Sequence, residues 1–188
     1  MKLAVLAQVS NECDVIELFV RINARFVDHF FIADLSSSDA TPLILQKLVE
    51  EGLAITVWPH PVNFQKGVIK TACLKRIAAE TDYDWIFLLD ADEFLTGTRE
   101  ALEQQLAELP PGCCPRLLLR TYLPESDRYF EVANPIYALF NPVDCDIDPC
   151  FKIAIPKLLA TTTTVCMGSH DARWNGESVK KQTIDTVL

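Results

Sequence analysis

Residues 85 to 95 read WIFLLDADEFL, in which five apolar residues run into Asp90, Asp92 and Glu93 before the chain turns apolar again. Carboxylates this close repel one another unless water or a cation lies between them. Asp90 and Asp92 flank Ala91, so both can reach one ion from a short loop. Oxygen ligands suit Mg²⁺ or Mn²⁺, which keep open positions for substrate phosphates. The plainer explanation is a solvated acidic turn capping the helix that begins near Thr96. The place of the motif at the end of an apolar strand argues for the ion.

The elements around it must position these groups. KLAVLAQV reads as a strand, and NECDVIELFVRINARF as an amphipathic helix with Ile16, Phe19, Val20 and Asn23 at helical spacing and Asn11 as a possible cap. HFFIADL is a second strand. SSSDATPLILQKLVEEG is a turn and helix, with Pro42 in its first turn and Gly52 as a stop. LAITVWP, FQKGVIKTACLKRIAAETD, DWIFLLD and TREALEQQLAEL continue the alternation as strand, helix, strand, helix. Such alternation predicts an α/β fold: a Rossmann-type open sheet, mostly parallel, with helices on both faces. Ligands of such sheets bind at the carboxyl ends of the strands. Asn11, Glu12, Asp34, Asp90 and Asp92 all follow strands and would gather on that edge.

After Pro111 the pattern changes. RLLLRTYL, IYALF, CFKIAIP and TTTTVCM read as strands joined by proline-rich and acidic loops, with little helix. We expect one domain over 1–188, with a ligand-binding half at 1–110 and an irregular, β-rich half at 111–188. The tail VKKQTIDTVL ends on an apolar pattern, which suggests a fold continuing further. With 188 residues, 49% of them apolar, the chain has ordinary globular composition. Its net charge of −9 argues against nucleic acid as a partner. Seven cysteines without a CxxC pair read mostly as reduced core thiols of a cytoplasmic protein. The first apolar run is too short for a signal peptide, and no stretch is long enough for a membrane span.

The segment from VSNECDVIELF through IADLSSSDATPLILQKL to DWIFLLDADEFL resembles the glycosyltransferase family 2 type of GT-A domain. More narrowly, it is similar to a bacterial subgroup with an NExDxIxEF start, a DxxSxDxT turn and a DxDEF signature. The resemblance covers residues 3 to 95 and thins beyond them to FKIAIP and GSH. It implies a metal-dependent glycosyltransferase that moves a sugar from a nucleotide-diphosphate donor, most commonly a UDP-sugar, to a glycan or other hydroxyl acceptor, with inversion. It implies Asp92 as direct metal ligand, Asp90 at the ribose or the metal's waters, and His170 as third ligand of Mn²⁺ or Mg²⁺. Asp34 would accept from the base, with Glu12 and Asn11 lining the same pocket, and Lys152 would face the diphosphate. Glu93 is grouped with Asp92 as catalytic, either as an acceptor-side acid or as a brace for the loop.

Simpler explanations compete at several positions. Asp34 and Asp39 can cap the turn and helix that follow them. Lys152 can be an edge-strand charge, and Lys66 and Lys70 solvent charges on one helix face. His29 and His60 read as structural. The DCDID run at 144–148 lacks the glycine and glutamate of an EF-hand and reads as a solvated loop. An inverting transfer needs a carboxylate base, for which only Asp127 and Asp171 offer weak matches. Asp-x-Asp phosphatases and nucleotidyltransferases fit the motif context less well. The non-enzymatic alternative is a catalytically incomplete GT-A-like domain that binds a sugar nucleotide or a protein.

Overall fold

A computed structural model describes residues 1–60, 66–120, 122–123, 141–142 and 150–187. Strand β1 (Leu3–Val9) is buried along its whole length, because helices cover both faces of the sheet it belongs to. It pairs in parallel with β2 (His29–Asp34) on one side and β4 (Trp85–Asp90) on the other, and β2 pairs in parallel with β3 (Ile55–Pro59). Successive residues of a strand point to opposite faces. Leu3, Val5, Ala7, Phe87 and Leu89 therefore pack with α1 (Ile16–Asn23), α2 (Thr41–Glu50) and α4 (Arg99–Ala107). Ala4, Leu6, Ile86 and Leu88 meet α3 (Lys66–Glu80) on the other face.

The second half completes this sheet. β5 (Cys114–Leu118) and β8 (Phe151–Pro156) join it, the latter antiparallel between β4 and β5, and β12 (Lys181–Val187) runs parallel to β5 at the edge. The order across seven strands is β12-β5-β8-β4-β1-β2-β3. Short β6 (Tyr122–Leu123) and β7 (Asn141–Pro142) form a separate pair. The one-turn helix α5 (Lys157–Ala160) precedes a small antiparallel sheet of β9 (Thr163–Val165), β10 (Ala172–Trp174) and β11 (Glu177–Ser178). The expected strand IYALF, the DCDID run, Asp127 and Cys145 lie outside the described residues.

Local chemistry explains two of the boundaries. Thr98 caps α4 by accepting from the Ala101 N–H at 3.2 Å. Gly52, at φ 97°, supplies the left-handed stop after α2. Asn11 does not cap α1, whose N-cap Val15 offers no side-chain acceptor. Its Oδ1 accepts instead from the Ser38 N–H at 2.8 Å, tying the loop after β1 to the loop after β2. The six described cysteines are free; Cys73, Cys113 and Cys114 are buried, Cys13 and Cys150 exposed and Cys166 partly covered. The core therefore holds half of them. No helix among the described residues is long and apolar enough to cross a membrane.

Candidate active site at the strand ends

Parallel pairing sets Gln8 of β1 beside Asp90 of β4, at the carboxyl ends of both strands. A cavity of about 170 Å³ opens there, lined by Gln8, Glu12, Asp90 and Asp92, by the start of α3, and by Cys166, Gly168 and Ser169. Gln8 holds the α3 end in place by donating from Nε2 to the Lys66 carbonyl at 2.8 Å.

At and beneath the floor of the cavity, buried Lys70, Lys152 and Glu93 form a charge network around the partly exposed Asp90. Asp90 accepts from Lys70 Nζ through Oδ1 at 2.9 Å and from Lys152 Nζ through Oδ2 at 2.5 Å. Lys152 also donates to the Gly168 carbonyl at 2.7 Å and pairs with Glu93 Oε1 at 3.2 Å. Lys70 donates to the Ser169 hydroxyl. Burial would raise the Asp90 pKa, but Lys70 and Lys152 outweigh it and hold the carboxyl below its ordinary range. Burial pushes Glu93 up to about 7, against the pull of Lys152. Burial also lowers the Lys70 pKa, with Asp90 opposing.

Two other carboxylates stand over this floor. Glu12 and Asp92 line the cavity, and neither has a hydrogen bond or ion pair for its carboxylate among the described residues. The Glu12 pKa is raised by its partial burial and then by the Asp92 charge. Two unpaired carboxylates lining one cavity could hold a hard divalent cation whose other ligands come from phosphate and water. The expected set of Asp90, Asp92 and His170 is not assembled. Among the described residues no group of three or more His, Cys, Asp and Glu side chains could hold a metal ion. Asp90 is engaged by two lysines, and the exposed His170 ring shares its Nδ1 with the Phe151 carbonyl at 2.8 Å.

The remaining expected residues separate by environment. Asp34 is buried and accepts from the Ser37 N–H at 3.0 Å, the turn-capping geometry. Neither it nor Asn11 lines the cavity. Glu93 is buried and accepts from the Asp90 N–H at 2.9 Å, which braces the loop. Lys152 is 1% exposed in an interior strand, so the edge-strand explanation fails. Asp39 accepts from the Thr41 and Cys13 N–H groups. Asp171 is engaged by Ser178, Lys181 and its own neighbour Ala172.

Sequence reasoning undervalued two residues. Lys70 shares the buried stripe of α3 with Cys73, Leu74, Ile77 and Ala78, so it is no solvent charge. A lysine at a stripe position was the available signal. Asn23 is fully buried on α1, donates to the Glu93 carbonyl and accepts from the Leu95 N–H, each at 2.9 Å. It clamps both ends of the turn that carries Glu93, and its polarity within an apolar stripe marked it in the same way.

Solved structures with this architecture include a mannosyltransferase from Pyrobaculum calidifontis in complex with GDP-Man and Mn²⁺, 17% identical with a TM-score of 0.52. The match covers 84% of this chain and 45% of that one. TarS 1–349 of S. aureus in complex with UDP is 14% identical with a TM-score of 0.51, covering 98% of this chain and 61% of that one. The fold is GT-A-like. This GT-A-like chain spans about half the length of the mannosyltransferase and three-fifths of the TarS fragment. No family model and no curated relative matches its sequence.

Proposed function

We propose that this protein is a metal-dependent glycosyltransferase that moves a sugar from a nucleotide-diphosphate donor to an acceptor hydroxyl with inversion. Its donor-site sequence is that of the DxDEF type described above. The observation that carries the reading is the pair of unpaired carboxylates, Glu12 and Asp92, over a lysine-rich floor at the carboxyl edge of a GT-A-like sheet. The GDP-Man and Mn²⁺ in the Pyrobaculum calidifontis mannosyltransferase, which shares this fold, support it.

Asp92 and Glu12 would hold the divalent ion, which when bound supplies positive charge against the departing diphosphate. Asp90, kept ionised by its lysines, remains an acceptor for donor hydroxyls. Glu93 and Asn23 fix the loop on which Asp92 stands. Calorimetric titration of UDP and GDP, with and without Mn²⁺, tests the reading on wild type and Asp92→Ala. Binding that requires the metal and is lost in Asp92→Ala is expected. Binding indifferent to both would overturn the metal site.

The engagement of Asp171 in hydrogen bonds favours a second reading, a domain that binds the sugar nucleotide without turnover. Metal-dependent binding without sugar transfer or donor hydrolysis would select it.

A further inference from the structure

The two buried lysines of the floor are not equivalent. An ammonium group has three N–H donors. Lys152 donates to Asp90 Oδ2 and the Gly168 carbonyl, and its third side faces Glu93 Oε1 in an ion pair at 3.2 Å. It is 1% exposed and does not line the cavity. Lys70 spends two, on Asp90 Oδ1 and the Ser169 hydroxyl, and it does line the cavity. Its third donor has no partner among the described residues. One helical turn earlier, the exposed Lys66 lines the same cavity, since residues four apart share a helix face.

We propose that Lys70, with Lys66 at the mouth, is the diphosphate-binding lysine of this site, and that Lys152 is a positioning residue that never reaches the ligand. The inference rests on the donor-site reading above and reverses the role that the resemblance assigns to Lys152. Lys70 can bind an anionic oxygen without releasing Asp90 or Ser169, so the floor need not rearrange. Lys152 could do so only by giving up the Gly168 carbonyl or the charge it shares with Asp90 and the buried Glu93.

Charge fixes the ligand class. The cavity is lined by two cations, Lys66 and Lys70, and three carboxylates, Glu12, Asp90 and Asp92. A bare diphosphate meets net repulsion there, whereas a diphosphate carrying a divalent ion balances Glu12 and Asp92 and keeps the lysines for its free oxygens. Lys70 then acts as a fixed point charge and not as a two-pronged clamp.

The experiment titrates inorganic pyrophosphate, UDP and uridine, each with Mn²⁺, into wild type, Lys66→Gln and Lys70→Gln, with melting curves for each variant. Lys70→Gln is expected to weaken pyrophosphate and UDP about tenfold or more, the usual loss of a charge-assisted hydrogen bond, and to leave uridine unchanged. Lys66→Gln is expected to weaken the same two ligands by a smaller factor. A folded Lys70→Gln that binds all three as wild type does overturns the proposal. Lys66 is exposed and its replacement leaves the core intact, so Lys66→Gln with undiminished diphosphate binding overturns the pair even if Lys70→Gln does not fold. Wild type that binds Mn²⁺-pyrophosphate but neither UDP here nor GDP in the titration proposed above removes the nucleotide-sugar reading and leaves the lysines standing. Wild type that binds none of them removes both.

Discussion

At Asp90 one carboxylate meets two ammonium groups, and the consequences differ on its two sides. Lys70 holds Oδ1 from the cavity, while Lys152 holds Oδ2 and extends to Glu93 and Gly168. Removing one partner of a buried ion pair strands the others and costs more than the pair itself contributes. Breaking a buried pair costs about 3–5 kcal/mol, and we expect Lys152→Met to destabilise the protein by about 3 kcal/mol, because Asp90 is partly exposed and retains Lys70. Chemical denaturation of the variant checks this. A cost under about 0.5 kcal/mol, typical of a surface substitution, would mean that Lys152 holds nothing in place. The acidic motif that first marked the site thus contains two kinds of residue. Asp90 and Glu93 are neutralised from below, whereas the Asp92 carboxylate has no hydrogen bond or ion pair among the described residues.

Among the elements, the loop after β4 is held by α1 through Asn23, and the start of β1 is held to α4 through Asp28. Asp28 accepts from the Leu3 N–H at 2.8 Å and takes both Arg99 nitrogens, at 2.7 and 2.9 Å. The Arg99 hydrogen bonds hold its pKa below the ordinary 3.8, although burial opposes them. A depressed carboxyl contributes stability that is fully present above its unfolded pKa and is lost as pH falls through the folded value. The Asp28 side chain is 39% exposed, so solvent screening discounts the pair. Asp28→Asn is expected to cost about 1 kcal/mol at pH 7 and progressively less below about pH 4. Urea melts of both proteins at pH 7 and pH 3 read this out. An equal cost at both values would assign the effect to packing instead of charge.

For the whole molecule, the decisive feature is β8, antiparallel between β4 and β5. It makes the central sheet a joint product of residues before and after Pro111, so we expect the two halves to unfold together. Trp58 and Trp85 report on β3 and β4, and Trp174 on β10. Variants keeping only Trp85 or only Trp174 should give coincident urea transitions by fluorescence. Separated midpoints would show two cooperative units. The alternation of strands and helices was legible in the first 110 residues because the helices carry apolar stripes and the central strands are short continuous apolar runs, the pattern of a parallel sheet covered on both faces. Those patterns, with the rule that open parallel sheets bind at their carboxyl edge, were enough to bring Glu12, Asp90 and Asp92 to one place. Of the small second sheet, β9 was read in TTTTVCM, while β10 and β11 escaped, being too short at three and two residues to show a period, and the seven-residue β12 was read only as an apolar pattern in the tail. Charge pairing escaped as well. The register that sets Phe87 opposite Ala154 carries Lys152 toward the end of β4, and no local pattern encodes a contact between residues 62 positions apart. Sequence by itself determined which elements form and which edge of the sheet is acidic, because these follow from local periodicity. Only the tertiary structure decided which carboxylates are neutralised and which lysine faces the cavity, because burial and long-range register set the partners of every charge.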